Sequence, residues 1–302
     1  VIDFGPTCLV AKTDPITFAT DEIGWYAVNI NANDIAVTGG VPRWFLATIL
    51  LPEGRTDEAL VEDIFRQLSD ACAQLNVSLC GGHTEVTYGL DRPIVVGQML
   101  GEVGREDLVT SGGGKPDDVL LLSKGIAVEA TAIIAREKEE ELSHRYPADF
   151  LARCRDMLHD PGISILKEAR LAVESVPLHA IHAMHDPTEG GLATGVWELA
   201  IASGTGVILD GDALPVLPET RSLCAEYGLD LLGVIASGSL LVAVNSRHSA
   251  SVLDAWWAEG IEGAVIGRLV EREAGMKLAQ GGKMGELPHF RRDEIARLFE
   301  KV

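Results

Sequence analysis

The sequence predicts an α/β protein (α+β in detail) built as two domains, and three observations lead there. Apolar segments of strand length alternate with amphipathic segments of helix length along nearly the whole chain. At 302 residues it exceeds what one hydrophobic core holds, since single cores stop growing near ~250–300 residues. A glycine-rich joint, Thr110-Ser111-Gly112-Gly113-Gly114-Lys115 followed by Pro116, interrupts the alternation once. The expected domains are 1–110 and 111–302.

In the first domain, residues 8–14 predict a strand centred on Cys8-Leu9-Val10-Ala11 and stopped by Pro15. Thr20 suits the cap of a helix over 21–37, which Gly39-Gly40 ends. Residues 43–51 form an apolar strand closed by Pro52. Over 57–75 the spacing of Leu60, Ile64, Leu68, Cys72 and Leu75 marks an amphipathic helix. Asp57 and Glu58 open it, where the helix dipole favours negative charge. Strands follow at 77–80 and 93–103.

The second domain starts with a buried strand over 119–122 and continues with helical stretches near 127–142, 147–158 and 162–174. An apolar run over 176–184 predicts a strand. A helix over 191–203 then sets Leu192, Val196, Leu199 and Ala200 on one face. Strands near 206–209 and 239–244 and a helix over 248–258 complete the pattern. No internal repeat or low-complexity segment stands out.

Composition narrows the function classes. Hydrophobic residues at 47% and charged residues at 23% describe a soluble protein. A formal net charge of −20 argues against nucleic-acid and anionic-membrane surfaces, which need clustered Lys and Arg. It fits either a solvated acidic exterior or an acidic pocket that takes a nucleotide together with metal ions. Cys8, Cys72, Cys80, Cys154 and Cys224 are scattered without a Cys-x-x-Cys pair, as expected of reduced thiols in a cytoplasmic protein. No apolar run reaches the ~18 residues of a membrane span and no signal-peptide pattern is present. Residue 1 is Val, so the chain is expected to begin inside a longer natural sequence.

Four places carry candidate chemistry. Asp186 follows the apolar run and precedes a helix in Asp186-Pro187-Thr188-Glu189-Gly190-Gly191; such a strand-to-helix handover is where a ligand-contacting group sits. Asp14 stands at a strand end. Asn33-Asp34 lies within a helix whose neighbours Ile30, Ala32, Ile35, Ala36 and Val37 are apolar. The pair is therefore either on a solvent face or buried, and a buried carboxylate needs a partner such as a metal ion. Cys80-Gly81-Gly82-His83-Thr84-Glu85 is a glycine-hinged strand end bearing an imidazole and a carboxylate; as a zinc half-site it lacks two further ligands nearby.

Other patterns are weaker. On one strand His179 and His185 would share a side ~20 Å apart with His182 on the other, so they cannot share an ion; only His185 is kept, as a neighbour of Asp186. Neither a Walker A loop nor a Rossmann glycine motif is present. Residues 111–115 precede a strand and read as an interdomain turn. Ser123-Lys124-Gly125 lies between strand and helix, either as an anion-meeting turn or as a plain one.

Taken together, Thr13-Asp14-Pro15, Asn33-Asp34-Ile35-Ala36 with Gly39-Gly40-Val41-Pro42, Gly81-Gly82-His83-Thr84-Glu85 and Asp186-Pro187-Thr188-Glu189-Gly190-Gly191 resemble the motifs of the aminoimidazole ribonucleotide (AIR) synthase superfamily, particularly its hydrogenase-maturation branch, HypE. The resemblance runs from about residue 8 to 288. It implies a PurM-like fold whose N-terminal mixed sheet with helices dimerises into a barrel, and a C-terminal α+β domain that completes the cleft. It implies ATP and magnesium (Mg2+) as cofactors and phosphorylation of a carbonyl, amide or related oxygen. By position, Asp14 and Asp34 would hold magnesium. Asn33, Gly81, Gly82 and Thr84 would line the nucleotide site, with His83, Glu85 and Asp186 as catalytic candidates. A homodimer is implied, with the apolar strand over 44–51 as a candidate paired surface.

Three departures qualify the transfer. The family's Gly-x-Asp-x-Ala segment is absent and is expected just before Val1. His83 stands where relatives carry Asp or Glu, and imidazole is a poor magnesium ligand. The hydrogenase-maturation enzyme ends in Pro-Arg-Ile-Cys, whereas here Gly285-Glu286-Leu287-Pro288 continues into His289-Phe290-Arg291-Arg292 and a short charged helix, with no cysteine after Cys224. The sequence therefore points to an ATP-dependent enzyme of undetermined acceptor, without cyanide-ligand synthesis on its own cysteine. A small-molecule kinase resembling thiamine-monophosphate kinase and a non-catalytic ATP-binding maturation protein are the rivals.

Overall fold

In the computed structural model, which describes residues 1–17 and 21–300, the strand and helix alternation resolves into two mixed sheets. They belong to two units, Val1–Leu108 and Val109–Val302.

The first unit contains β1 (Ile2–Asp3), β2 (Thr7–Ile16), α1 (Ile23–Ala36), β3 (Val41–Pro52), α2 (Glu58–Gln74), β4 (Ser78–Thr87) and β5 (Ile94–Gly104). Its strand order is β1-β2-β5-β3-β4, antiparallel except for the β3–β4 pair. Period-2 alternation buries Cys8 and Val10 of β2, Phe45, Ala47 and Ile49 of β3, and Val95 and Met99 of β5 on the helix-covered face. Two glycines let α1 close on its neighbours. A Cβ at Gly97 would lie 2.3 Å from Asn31 Nδ2, and one at Gly24 2.8 Å from the Cβ of Gln67. The α2 cap is as expected, with the Asp57 carboxylate accepting from Leu60 N at 2.9 Å.

Four expectations change in this unit. Thr20 lies outside the described residues, and α1 starts at Ile23 after Glu22 in the left-handed region. Pro15 does not stop β2. Beyond Leu9 that strand is a sheet edge, because β1 pairs only with Cys8 and Leu9, so a residue without N–H leaves no ladder bond unmade. The glycines of Gly81-Gly82 lie inside β4 rather than at its end; a Cβ on Gly82 would meet Ala47 O at 1.8 Å. The 44–51 strand is interior, paired on both sides by β5 and β4, so it offers no free edge; β4 does.

The second unit contains β6 (Val119–Ser123), α3 (Val128–Glu137), α4 (Glu139–Ser143), α5 (Ala148–Asp156), α6 (Leu166–Glu174), β7 (Ile181–His185), α7 (Gly191–Ser203), β8 (Gly206–Asp210), α8 (Pro218–Glu226), β9 (Leu241–Val244), α9 (Ser249–Ala258), β10 (Gly263–Val270), β11 (Met276–Gln280) and β12 (Lys283–Glu286). The sheet order is β12-β11-β8-β10-β6-β9-β7. Leu120, Leu122, Leu192, Val196, Leu199, Leu209 and Ile266 make its core with α7. A second cluster joins Ile134, Leu142, Leu151, Leu223 and Val234 to Ile295 and Leu298 of the C-terminal segment. The predicted 127–142 helix divides at Lys138. The 176–184 run becomes strand only from Ile181, because Pro177 opens a turn in which Ala180 N donates to Pro177 O and His179 takes φ 65°. Among the described residues no helix is long and apolar enough to cross a membrane.

Candidate functional site

Lysine supplies the first link between the predicted acids. Lys12 and Asp14 are two residues apart on β2 and so share its helix-covered face. Asp34, at the end of α1, arrives over the same place. Lys12 Nζ donates to Asp34 Oδ1 at 2.9 Å and stands 3.4 Å from Asp14 Oδ2. Burial pulls the Lys12 ammonium down, but Asp34 and then Asp14 outweigh it, and its pKa is raised. Asn33 is fully buried, while Asp34 is 23% exposed, so the helix divides the pair between core and cluster. The structure thus brings Asp14 and Asp34 together around one cationic group.

Register decides the rest of the motif. Asp14 pairs with Gly97, Gly97 with Ala47, and Ala47 with Gly82, a transverse row spanning about 14 Å by strand spacing. Gly82 and Thr84 share the helix-covered face of Asp14, whereas His83 and Glu85 belong to the next row, Pro15-Val96-Thr48-His83, and to the opposite face. His83 Nε2 lies 3.7 Å from Glu85 Oε2, and both are exposed. Within one chain, then, His83 and Glu85 do not join Asp14 and Asp34; Gly81 stands on their face.

Hard carboxylate oxygens around a cation suit magnesium. Among the described residues no three His, Cys, Asp or Glu side chains converge as a metal cage. A magnesium ion at Asp14 and Asp34 would therefore take its remaining oxygens from phosphate and water, as such ions do in nucleotide sites.

In the second unit, Asp186 is 4% exposed at the turn from β7 into α7. His185 Nδ1 stands 3.7 Å from its Oδ1, and Nε2 lies 2.8 Å from Glu198 Oε2. Burial opposes the charged imidazole, but the Asp186 and Glu198 carboxylates prevail and push His185 up to about 9. His182 turns elsewhere, with Nδ1 2.8 Å from Asp118 and Nε2 3.2 Å from Lys115 Nζ.

The two glycine turns are settled by their hydrogen bonds. Gly113 N, Gly114 N and Lys115 N donate to Thr110 O, Ser203 Oγ and Asp118 Oδ2. At Ser123-Lys124-Gly125, the amides of Ser123, Lys124 and Ile126 donate to Leu240, Glu262 and Pro215 carbonyls. Lys124 Nζ meets Glu168 Oε1 at 2.7 Å and the carbonyls of Gly162 and Ser164 at 3.0 and 2.6 Å, using all three donors. Both are structural turns.

Sequence reasoning missed Lys12, Glu129, Glu198 and Asp293. Lys12 was detectable as the same-face neighbour of Asp14. Glu129, in the first turn of α3, is the one acid in the apolar stretch Val128-Glu129-Ala130-Thr131-Ala132-Ile133. It is 5% exposed, its Oε2 lacks a hydrogen-bond partner, and burial pushes its carboxyl up to about 7 with further help from Glu189 and Asp293.

Comparison with known proteins places this geometry. Residues 1–103 match the N-terminal domain of AIR synthase related protein, and residues 115–277 match its C-terminal domain. The chain belongs to the AIR synthase related family. Within that family it is HypE-like. It is 31% identical over 261 residues to the carbamoyl dehydratase HypE of Cupriavidus necator, covering 85% of this chain and 70% of that protein. It is 25% identical over 286 residues to the thiamine-monophosphate kinase of Pyrococcus horikoshii, covering 93% and 82%. A crystal structure of hydrogenase maturation protein HypE in complex with ATP superposes with a TM-score of 0.79 at 23% identity, covering 98% of this chain and 88% of that one, which establishes the PurM-like fold. These relatives are enzymes, and the AIR synthase related chain described here joins them by sequence along most of its length.

Proposed function

We propose that this protein is an ATP- and magnesium-dependent enzyme that activates an oxygen of a small molecule or of a partner's side chain by phosphorylation, releasing ADP and phosphate. The observation that carries the reading is the Lys12-Asp14-Asp34 cluster, two carboxylates already gathered on one cation. Asp14 and Asp34 hold the magnesium ion, which when bound neutralises phosphate charge and polarises the γ-phosphoryl group. Lys12 offers its ammonium to the same phosphates. Gly82 and Thr84, on the same sheet face as Asp14, are the residues left to line the nucleotide, whereas the sequence candidates Asn33, buried in the core, and Gly81, on the opposite face, do not reach it in one chain. Asp186 is the second unit's candidate for attending the acceptor, and His83 and Glu85 are separate catalytic candidates of the first unit.

The acceptor oxygen forms a bond to the γ-phosphorus while the bond to the β,γ-bridging oxygen breaks, and ADP leaves with that electron pair. In a second step the bond from carbon to the acceptor oxygen breaks as a new bond forms to that carbon, from an attacking nucleophile or from a neighbouring nitrogen that gives up its proton, and orthophosphate carries that oxygen and its electron pair away.

The open face of the first sheet, with β4 as its free edge, supports a homodimer that pairs along β4. Leu79, Val86 and Tyr88 are exposed there, at 37%, 55% and 85%. Such pairing would enclose His83 and Glu85. The acceptor is not a thiol carried directly after Leu287-Pro288, since His289 and Phe290 occupy that place and pack onto the second unit. That same observation favours a second reading, a small-molecule kinase like the Pyrococcus relative, in which phosphate stays on the product.

The deciding experiment is calorimetric ATP binding with and without magnesium, followed by an acceptor screen read for both orthophosphate and phosphorylated product. Magnesium-dependent binding with phosphate release supports the main reading, and phosphorylated product without free phosphate supports the kinase. Binding without turnover on any acceptor would favour a regulatory ATP-binding protein.

A further inference from the structure

Residues 287–299 are bound into the second unit at several points. Trp197 Nε1 donates to Pro288 O at 3.2 Å, and the His289 ring stands edge-on to the Trp197 ring with centroids 5.5 Å apart. Phe290 lies against Gly233, where a Cβ would come within 2.5 Å of its ring. Leu287, Ile295 and Leu298 are buried. Asp293 is the hub. Its Oδ2 accepts from Gly190 N at 2.7 Å, and its Oδ1 accepts from Ile295 N at 2.8 Å and Ile235 N at 3.2 Å.

Gly190 and Gly191, at φ 74° and 67°, have no side chains with which to fix their turn. Hydrogen bonds must do so: Gly191 N and Ala236 N both donate to Thr188 O, and the Asp293 carboxylate holds Gly190. Beneath this turn Glu129 is held by Ser237, whose backbone oxygen accepts from Glu129 N at 3.3 Å and whose side chain hydrogen-bonds the Glu129 carboxyl. The charges facing Glu129 are those of Glu189, from the turn, and Asp293, from the C-terminal segment. Glu129 is buried against these charges, so the proton on Glu129 and the charge on Asp293 are linked.

We infer that residues 287–299 form a fixed strap and that Asp293 is the positioning residue through which the strap holds the Asp186–Gly191 turn in its working conformation. The catalytic consequence rests on the function proposed above; the positioning itself does not. A carboxylate accepting three backbone N–H bonds is a strong local restraint.

The test is Asp293→Asn, with Leu298→Ala as a control that loosens strap packing without touching the turn. Amide exchange at Gly190 and Ile235 is read by NMR without nucleotide, together with the titration of a carbon-13-labelled Glu129 carboxyl. Asn keeps one acceptor oxygen and puts a donor in place of the other, so exchange at whichever of Gly190 and Ile235 faces that donor should rise about tenfold, and the Glu129 midpoint should fall once the neighbouring charge is gone. In turnover assays kcat should drop while KM for ATP stays put. Should Asp293→Asn not fold, the wild type decides: the Gly190 and Ile235 amide signals must move with the same midpoint as Glu129. Unchanged exchange and an unchanged Glu129 midpoint overturn the inference, as does independent movement of those signals in the wild type. Equal effects from Leu298→Ala overturn it too. Altered exchange in a protein that phosphorylates nothing would sink the proposed reaction and leave the strap standing.

Discussion

Glu129→Gln isolates the most unusual carboxyl in the protein. Burial, reinforced by Glu189 and Asp293, raises its pKa from 4.5 to about 7. A carboxyl raised on folding binds its proton more tightly in the native state. Its contribution is therefore fully present below 4.5 and is lost as pH rises through about 7. That interval corresponds to about 3 kcal/mol. Glutamine keeps the shape and the bond to Ser237 but has no proton to lose. Its amide leaves a buried donor unpaired, which costs about 1–3 kcal/mol at every pH. The intercept of the comparison is thus uninformative, and the slope is decisive. Urea unfolding from pH 4.5 to 8, followed by the fluorescence of Trp197, Trp256 and Trp257, should show the variant gaining about 3 kcal/mol on the wild type across this range. For a unit of this size that is roughly 6–12 °C in melting temperature. A difference that stays flat with pH would refute both the burial argument and the crowding of three acids at this turn.

Other perturbations test separate contacts. Asp14→Asn and Asp34→Asn should each weaken magnesium-dependent ATP binding about tenfold or more by calorimetry, while Arg66→Ala on the exposed face of α2 leaves it unchanged. Lys124→Met strands the Glu168 carboxylate in the core and should destabilise by about 3–5 kcal/mol in urea unfolding, with Glu168→Gln added to it recovering part of the loss. Glu198→Gln should lower the His185 titration from about 9, read from imidazole NMR. It should also flatten the stability that the His185 ion pairs provide below 6.5 and lose above about 9. Gly82→Ala places a Cβ where Ala47 O stands at 1.8 Å and should cost about 4 kcal/mol or more, or prevent folding of the first unit.

The sequence made the elements legible wherever period and burial coincide. The 57–75 helix is recovered as Glu58–Gln74 with its Asp57 cap, because its apolar stripe is confined to one face. It was least legible where a residue's effect depends on its neighbours in space. Pro15 reads as a strand stop, and only the absence of a partner strand beside it explains why β2 continues. The 176–184 run carries strand-like hydrophobicity throughout, yet Pro177 spends its first residues on a turn. β10 to β12 went unseen because Gly263, Gly267 and Gly285 break the alternation, and β12 is exposed along its length.

The candidate site divides along the same line. Acids in recognisable motifs were visible, and Asp14 and Asp34 meet at Lys12. The face of the sheet on which His83 and Glu85 stand was not visible, because it follows from a bulge between Phe45 and Leu46 that sets the register of β4. A one-residue slip there exchanges the two faces, and with them the side chains that each face presents. In one chain the bulge thus sets the His83 imidazole on the sheet face opposite Lys12, Asp14 and Asp34. Whether position 83 carries an imidazole or a carboxylate therefore changes, in one chain, the face opposite Asp14 and not the Lys12-Asp14-Asp34 cluster itself.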